Sequence, residues 1–401
     1  MRLIERKEYF DKLIALRDKQ IIKVITGVRR CGKSTLLEMF RSYLLDNGVP
    51  ERNIVSVNLE DYDFKALRQP DTLHEYIKSH LIKSETTYIF IDEIQQCSSF
   101  PEVIDSLYIK PNVDIYLTGS NATMLSSEIA TLLTGRYIEI SMLPLSFKEY
   151  VSATSSDNLP QRYREYLETG SFPYAINLLG QPRELRDYLE GLYNTIVVKD
   201  IANRRKISDT MMLESIVRFV FDNIGNPLSS KKIADTMTSE RRKIDVKTVE
   251  KYLNSLLESF IAYRAARFNI KGRQHLKTLE KYYIVDIGLR YMLLGSSSTD
   301  VGHILENVVY LELVRRGFDV YVGKLGELEI DFVAIDNKKT LYFQVAATVR
   351  DEATLRRELA PLEKINDHYQ KYILTLDDDP EADYNGIRRI NALEWLINDN
   401  I

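Results

Sequence analysis

The run Gly27 to Thr35, GVRRCGKST, constrains this chain more than any other stretch. It follows an apolar run, Ile21 to Ile25, that reads as a buried strand, and precedes LLEMFRSYLL, Leu36 to Leu45, that reads as a helix. Strand, Gly-x-x-x-x-Gly-Lys-Ser loop and helix in that order predict a phosphate-binding loop. A triphosphate carries dense negative charge, and such a loop offers converging backbone N–H groups and a helix N-terminus. Gly27 and Gly32 admit the phosphates without Cβ atoms in the way. Val28, Arg29, Arg30 and Cys31 form the cradle between them, and Thr35 completes the run. Lys33 is expected on the β- and γ-phosphates and Ser34 on Mg²⁺. Arg29 and Arg30 are also candidates for phosphate or inter-subunit contacts. The residues alone leave ATP and GTP both open.

At 401 residues the chain exceeds one ordinary core, and two or three domains are expected. A hydrophobic share of 44% and a charged share of 28% place it among soluble globular proteins. The net charge of -4 gives no global basic signature for nucleic acid, though a local patch is compatible with it. No apolar run reaches membrane-spanning length, and the charged start MRLIERKEYF is unlike a signal peptide. Cys31 and Cys97 make neither a disulfide framework nor a zinc spacing, so a reduced, cytoplasmic protein is expected. Cys31 reads as a small residue tolerated in the loop; the other reading is a redox role, in which its oxidation impairs nucleotide binding.

Strand patterns at Ile21–Ile25, Ile54–Leu59, Thr87–Ile91, Ile115–Thr118 and Tyr137–Ile140 alternate with helical ones. This predicts a doubly wound α/β sheet with ligand at the carboxyl ends of its strands. The third strand runs straight into Asp92 and Glu93. Asp92 is placed to orient Mg²⁺ or its water, and Glu93 to polarise an attacking water. The fourth strand ends in LTGSNA, where Ser120 or Asn121 is a candidate sensor of the γ-phosphate; the other reading is a turn that caps the next helix.

GVRRCGKST, FIDEIQ, LTGSNA, SSEIATLLTGR and PLSFKEY, in this order, resemble the AAA+ ATPase domain of a broad prokaryotic family. Its members pair that domain with a helical region and a degenerate nuclease-like C-terminal domain, and the resemblance covers essentially the whole chain. It implies ATP as the nucleotide, a ring-like homo-oligomer, and Arg136 of Gly135-Arg136 as an arginine finger given to a neighbour. The structural alternative for Arg136 is a salt bridge that closes the last strand. GSFPYAINLL, Gly170 to Leu179, and YNTIVVKDIANRRK, Tyr193 to Lys206, resemble the lid signature of that family. Lys199, Arg204 and Arg205 there face phosphates across a subunit boundary or form a solvated helix face.

Asn223 to Tyr263 reads as a helix-turn-helix, with Leu228-Ser229-Ser230 capping KKIADTM and with Val249, Leu253, Leu256 and Leu257 on one face of the second helix. A hairpin turning near Lys271-Gly272-Arg273 makes this a winged helix. Lys243, Lys247, Lys251, Arg264, Arg267, Lys271, Arg273 and Lys277 supply local positive charge. Two readings stand: non-specific DNA contact through phosphates, or a structural or protein-binding spacer.

From Val301 a helix and three strands resemble the PD-(D/E)XK nuclease core. The resemblance puts Glu306 at its helix acid and Asp331 at its strand acid. Gln344-Val345-Ala346 stands where acid-x-Lys belongs. Gln344 is a poor Mg²⁺ ligand beside a carboxylate, and Ala346 has nothing to position water. Nuclease activity is therefore not expected, and the domain is read as one that binds a partner or keeps a nucleic-acid surface without cutting. The expected organisation is an ATPase domain over 1–150, a helical lid over 151–215, a winged helix over 216–297 and a nuclease-like domain over 298–401. The expected activity is Mg²⁺-dependent ATP hydrolysis that remodels a DNA- or protein-bound assembly. The alternatives are a nucleotide-dependent switch and a DNA-binding regulator with little turnover.

Overall fold

The apolar runs of the first third become the interior strands of a parallel sheet. The computed structural model describes residues 4–122, 133, 135–154, 158–272, 274–295, 300–337 and 339–398. They form two compact units, one of residues 2–144 with 258–260 and one of residues 145–257 with 261–401. Most of SSEIATLLTGR, together with Arg273 and Lys338, lies outside the described residues, as does the side chain of Lys277.

The first unit runs α1 (Lys7–Leu16), β1 (Ile22–Thr26), α2 (Lys33–Asp46), β2 (Ile54–Asn58), α3 (Pro70–Ser79), β3 (Thr87–Asp92), α4 (Phe100–Tyr108), β4 (Val113–Gly119) and β5 (Tyr137–Ser141). The strand order is β2-β3-β4-β1-β5, and every pairing is parallel. The α/β sheet expected from the alternating patterns is therefore present. Every residue of β1 and β3 is buried, as helices on both faces of a parallel sheet require. Because β1 lies beside β4 and β4 beside β3, the carboxyl ends of these three strands share one edge. Lys23 is an exception inside β1: it is fully buried and ion-paired with Asp114 of β4. The Tyr116 hydroxyl and the Asp18 N–H also donate to that carboxylate, at 2.9 Å each. A buried charge is tolerable only when satisfied in this way.

The second unit begins with helices α5 (Phe147–Ala153), α6 (Leu159–Thr169) and α7 (Pro182–Asn194), the last continuing as a π-helix over Thr195–Asn203. A capping box between Ser146 and Glu149 starts α5. Then come α8 (Thr210–Asp222), β6 (Pro227–Leu228), α9 (Ser230–Ser239), α10 (Val246–Glu258), and a hairpin of β7 (Ala262–Asn269) and β8 (Gln274–Ile284). The remainder is α11 (Ile287–Leu294), α12 (Val301–Arg315), β9 (Asp319–Leu325), β10 (Leu328–Ile335), β11 (Thr340–Ala346), α13 (Glu352–Glu363), β12 (Gln370–Thr375), β13 (Ala382–Tyr384), β14 (Ile387–Asn391) and α14 (Ala392–Ile397).

One mixed sheet crosses this unit in the order β13-β14-β12-β11-β10-β9-β7-β8-β6. The β7–β8 hairpin is joined to β9 by parallel pairing, with Arg267, Phe268 and Asn269 opposite Val322, Gly323 and Lys324. Gly323 makes the close fit at that seam: a Cβ there would lie 2.8 Å from a Val333 methyl and 2.9 Å from the Ile330 Cβ. β10 carries its register shift between those same two residues. Among the described residues, no helix is long and apolar enough to cross a membrane.

Candidate nucleotide site

The loop after β1 is held in a shape that only glycine permits at its first position. Gly27 has φ +148°, and a Cβ on it would lie 2.1 Å from the Met142 carbonyl oxygen. Met142 is fixed there because its N–H donates to Thr26 O at 2.7 Å. Gly32, at φ +107°, turns the chain into α2 as its N-cap residue. Arg30 is exposed and left-handed at φ +65°. Arg29 is buried and pairs with Glu60 at 2.8 Å. The Arg6 guanidinium, reaching in ahead of α1, donates to the carbonyls of Cys31 at 2.9 Å and Leu143 at 2.6 Å. The Cys31 thiol is fully buried, so oxidants in solution do not reach it without local opening.

Lys33 opens α2 with a buried side chain. Its ammonium donates to the carbonyls of Gly27 at 3.0 Å and Val28 at 3.2 Å, and lies 3.7 Å from Glu93 Oε1. Ser34 and Thr35 follow, both exposed. The Ser34 hydroxyl lies near enough to the Asp92 carboxylate to favour its charged form. Asp92 ends β3, and its Oδ1 accepts from the Thr118 hydroxyl at 2.5 Å. Burial pushes the Asp92 carboxyl above its usual range, while the Thr118 and Ser34 hydroxyls pull it back.

Glu93 is left-handed at φ +53°, and its N–H donates to Thr118 Oγ1 at 2.9 Å. Its Oε2 accepts from the Ser120 hydroxyl at 3.0 Å and from the Gln95 amide nitrogen. That amide also reaches Ser120 Oγ at 3.2 Å, while Gln95 Oε1 is buried with no hydrogen-bond partner among the described residues. Asn121 follows, also buried. Gly27, Lys33, Ser34, Asp92, Glu93 and Ser120 thus meet at one edge of the sheet. The cradle that a Cβ would fill, the adjoining ammonium and the neighbouring hydroxyl and carboxylate suit a Mg²⁺-bound nucleotide, and Ser34 and Asp92 are the pair that could hold the metal.

The second unit holds a different cluster. Glu306 on α12 and Asp331 on β10 come together, as do Asp331 and Gln344 on β11. Gln344 is turned to structural use: its Oε1 accepts the Asp331 N–H at 2.8 Å, and its Nε2 donates to Glu358 at 2.9 Å. Ala346 ends β11 with nothing to add. A cation arrives from elsewhere. Lys281 of β8 is buried, 2.9 Å from Glu306, 3.0 Å from Glu329 and 3.8 Å from Asp331. The Tyr283 hydroxyl donates to Glu306 at 2.6 Å. Burial and the charge of Glu306 push the Asp331 carboxyl up to about 7. Glu306 opposes its own burial with Lys281, His303 and Tyr283, and its carboxyl falls below the usual range. No group of three or more acids, histidines or cysteines arranged for a metal occurs among the described residues.

Residues 19–151 match the AAA domain family, and residues 160–300 match a domain family of unknown function. An uncharacterised protein of Haemophilus influenzae is 38% identical over 400 residues, which cover 98% of this chain and 99% of that protein. The chain belongs to its family. A second uncharacterised protein, from Methanocaldococcus jannaschii, is 29% identical over 86% of this chain and 78% of its own length. A Walker-type ATPase of Pyrococcus abyssi has a similar fold, with a TM-score of 0.52 and 16% identity over 73% of this chain and 96% of that one. The first unit of this family member is thus an AAA domain of the phosphate-loop ATPase fold.

In this AAA domain, Arg136 stands apart from the site. Its carbonyl accepts the Ile22 N–H at 2.8 Å, at the amino end of β1, so the length of the strand separates it from Lys33. Its guanidinium pairs with Asp105 and lies 5.6 Å over the Tyr108 ring. In the second unit, Arg264 and Arg267 are drawn into ion pairs with Glu280 and Glu329, both at 3.5 Å. Sequence reasoning missed Thr118, Gln95 and Lys281. Thr118 was signalled only as a polar residue closing the apolar run Ile115–Leu117, while Gln95 and Lys281, the latter in a strand rich in polar residues, carried no signal.

Proposed function

We propose that the protein hydrolyses ATP with Mg²⁺ at the centre built by Lys33, Ser34, Asp92 and Glu93, and uses turnover to remodel a DNA- or protein-bound assembly. The observation that carries this reading is the Glu93 carboxylate, held by Ser120 and Gln95 beside the loop lysine. Lys33 binds the β- and γ-phosphates, and the loop N–H groups with the α2 N-terminus stabilise charge on the bridging oxygens. Ser34 and Asp92 would hold Mg²⁺, which when bound would supply positive charge against the phosphates. Glu93 takes up the proton of the attacking water, and Ser120 or Asn121 senses the γ-phosphate. Arg136 completes the site of a neighbouring copy, which makes the working form a homo-oligomer.

The second unit reads as a winged helix followed by a nuclease-like domain that does not cut. Lys281 supports that reading, because its ammonium already neutralises the acids that would otherwise draw a divalent cation. The domain then serves as a surface for a protein partner or for nucleic acid. The work is expected in the cytoplasm.

The 3.7 Å approach of Lys33 to Glu93 favours one second reading, a nucleotide-dependent switch. There binding alone, by parting the two side chains, would be the signal. Steady-state ATP turnover separates the two. Loss of turnover in Glu93→Gln by roughly two to four powers of ten, with nucleotide still bound, is expected of the hydrolase. Negligible wild-type turnover, with a conformational change on binding a non-hydrolysable analogue, would establish the switch instead.

A further inference from the structure

The β7–β8 hairpin is not a free wing. Its pairing with β9, extended by the Ile270 N–H donating to Lys324 O at 3.0 Å, ties its tip to the mixed sheet. The tip and the segment after α13 wall a cavity of about 790 Å³ within the second unit. That volume lies in the range of sites for small organic groups. Its walls include the half-buried Phe268, which leans on Tyr321 at 5.7 Å between ring centres, the half-buried Tyr369, beside His368 at 5.0 Å, and the buried Tyr342. The Tyr342 and Tyr369 ring centres lie 6.4 Å apart. Lys271 and Lys364 stand exposed at its rim.

The acid in this wall is already committed. Asp367 accepts from the Tyr342 hydroxyl at 2.7 Å and from the Tyr369 N–H at 3.2 Å. Its two oxygens fix the two tyrosines, and the lysines at the rim outnumber its single negative charge. Aromatic side chains lining a concavity, with cations at the edge, match an unpaired base attached to a phosphate backbone. A duplex offers no unstacked face to such a cavity.

We propose that this cavity receives an unpaired base of single-stranded nucleic acid, stacked on Phe268 and Tyr369, with flanking phosphates on Lys271 and Lys364. The inference does not rest on ATP hydrolysis at Lys33, and the variants below leave the residues of that site unchanged.

The test is fluorescence anisotropy of labelled oligo(dT) with the full chain. Phe268→Ala and Tyr369→Ala should each weaken binding by about ten- to a hundredfold, the usual loss for one base stack. The double change Lys271→Gln and Lys364→Gln should lower the slope of log affinity against log salt by about 1.4, at about 0.7 per phosphate on a single strand. Emission of Trp395, the one tryptophan of the chain and buried in the same unit, reports that each variant is folded. The lysine changes are at exposed positions and keep the test decisive if an aromatic variant misfolds. Unchanged oligo(dT) affinity in the folded lysine variant would overturn the proposal. So would equal binding of a duplex, which would indicate phosphate contact alone. Displacement of oligo(dT) by AMP at comparable concentration would also overturn it, in favour of a free-nucleotide site.

Discussion

The Thr118 hydroxyl donates to the Asp92 carboxylate, and the same oxygen accepts the N–H of the next residue, Glu93. One side chain on β4 therefore fixes both acids at the end of β3. It holds Asp92 at a definite angle and helps keep Glu93 in a left-handed conformation that a non-glycine residue does not favour.

Thr118→Val should consequently damage catalysis more than nucleotide affinity. Loss of a hydrogen bond to a buried charged group costs about 1.5–3 kcal/mol, or roughly ten- to a hundredfold in turnover. The sign of the pH effect follows. Thr118 lowers the Asp92 carboxyl, so its removal raises it, and the acid limb of the ATPase profile moves to higher pH. The full pH profile of kcat/KM for both proteins checks this.

Gln95 should act with Glu93. Its amide nitrogen is held by Glu93 and Ser120, which leaves a buried carbonyl oxygen without a partner beside the carboxylate. An attacking water is the natural donor to that oxygen. Gln95→Met should lower kcat roughly tenfold, the worth of about one lost hydrogen bond, with ATP affinity by calorimetry unchanged. In a Glu93→Gln background the same substitution should cost little more, because both residues serve one water. Full additivity in stopped-flow turnover would count against the pairing.

Arg136 lies at the amino ends of the strands, and that position tests the trans assignment. Arg136→Ala and Glu93→Gln should each be nearly inactive alone. Mixed, they should recover part of the turnover, since some interfaces then join an intact Glu93 to an intact Arg136. No recovery in co-assembled protein, verified by mass photometry, would leave Arg136 as the partner of Asp105 and nothing more.

Lys281 predicts a stability phenotype. Lys281→Met strands buried acids without their cation, and about 3–5 kcal/mol of destabilisation is expected in chemical denaturation at neutral pH. Acidification should recover part of it as the acids protonate. Asp331 has a characteristic sign of its own. Its folded carboxyl titrates near 7, above its ordinary 3.8, so the folded state binds the extra proton between those values. The Asp331 contribution to stability therefore declines as pH rises through that window. Asp331→Asn should flatten that decline, as measured by urea midpoints across it.

The sheet of the AAA domain was legible because its strands are short apolar runs between helical patterns. All five begin or end within two residues of their expected limits. The phosphate loop was legible because its function fixes residue types at fixed spacing along the chain. Thr118 and Lys281 act across the fold, and local pattern does not report that. Thr118 meets Asp92 only because β3 and β4 are neighbours, and Lys281 meets Glu306 only because β8 runs beside α12. Gln95 looks like any polar residue after a strand until its amide is seen on Glu93. The seam between β7 and β9 was hidden for the same reason: parallel pairing across some fifty residues leaves no turn signal.

That seam bears on where the chain can be divided. A chain cut between β8 and β9 would bare the flank of β7, a row of unsatisfied N–H and C=O groups ready to adhere to other molecules. The segment matching the domain of unknown function therefore ends short of the strand that covers its own sheet edge, and a fragment stopping at residue 300 should self-associate through that edge where the full chain does not.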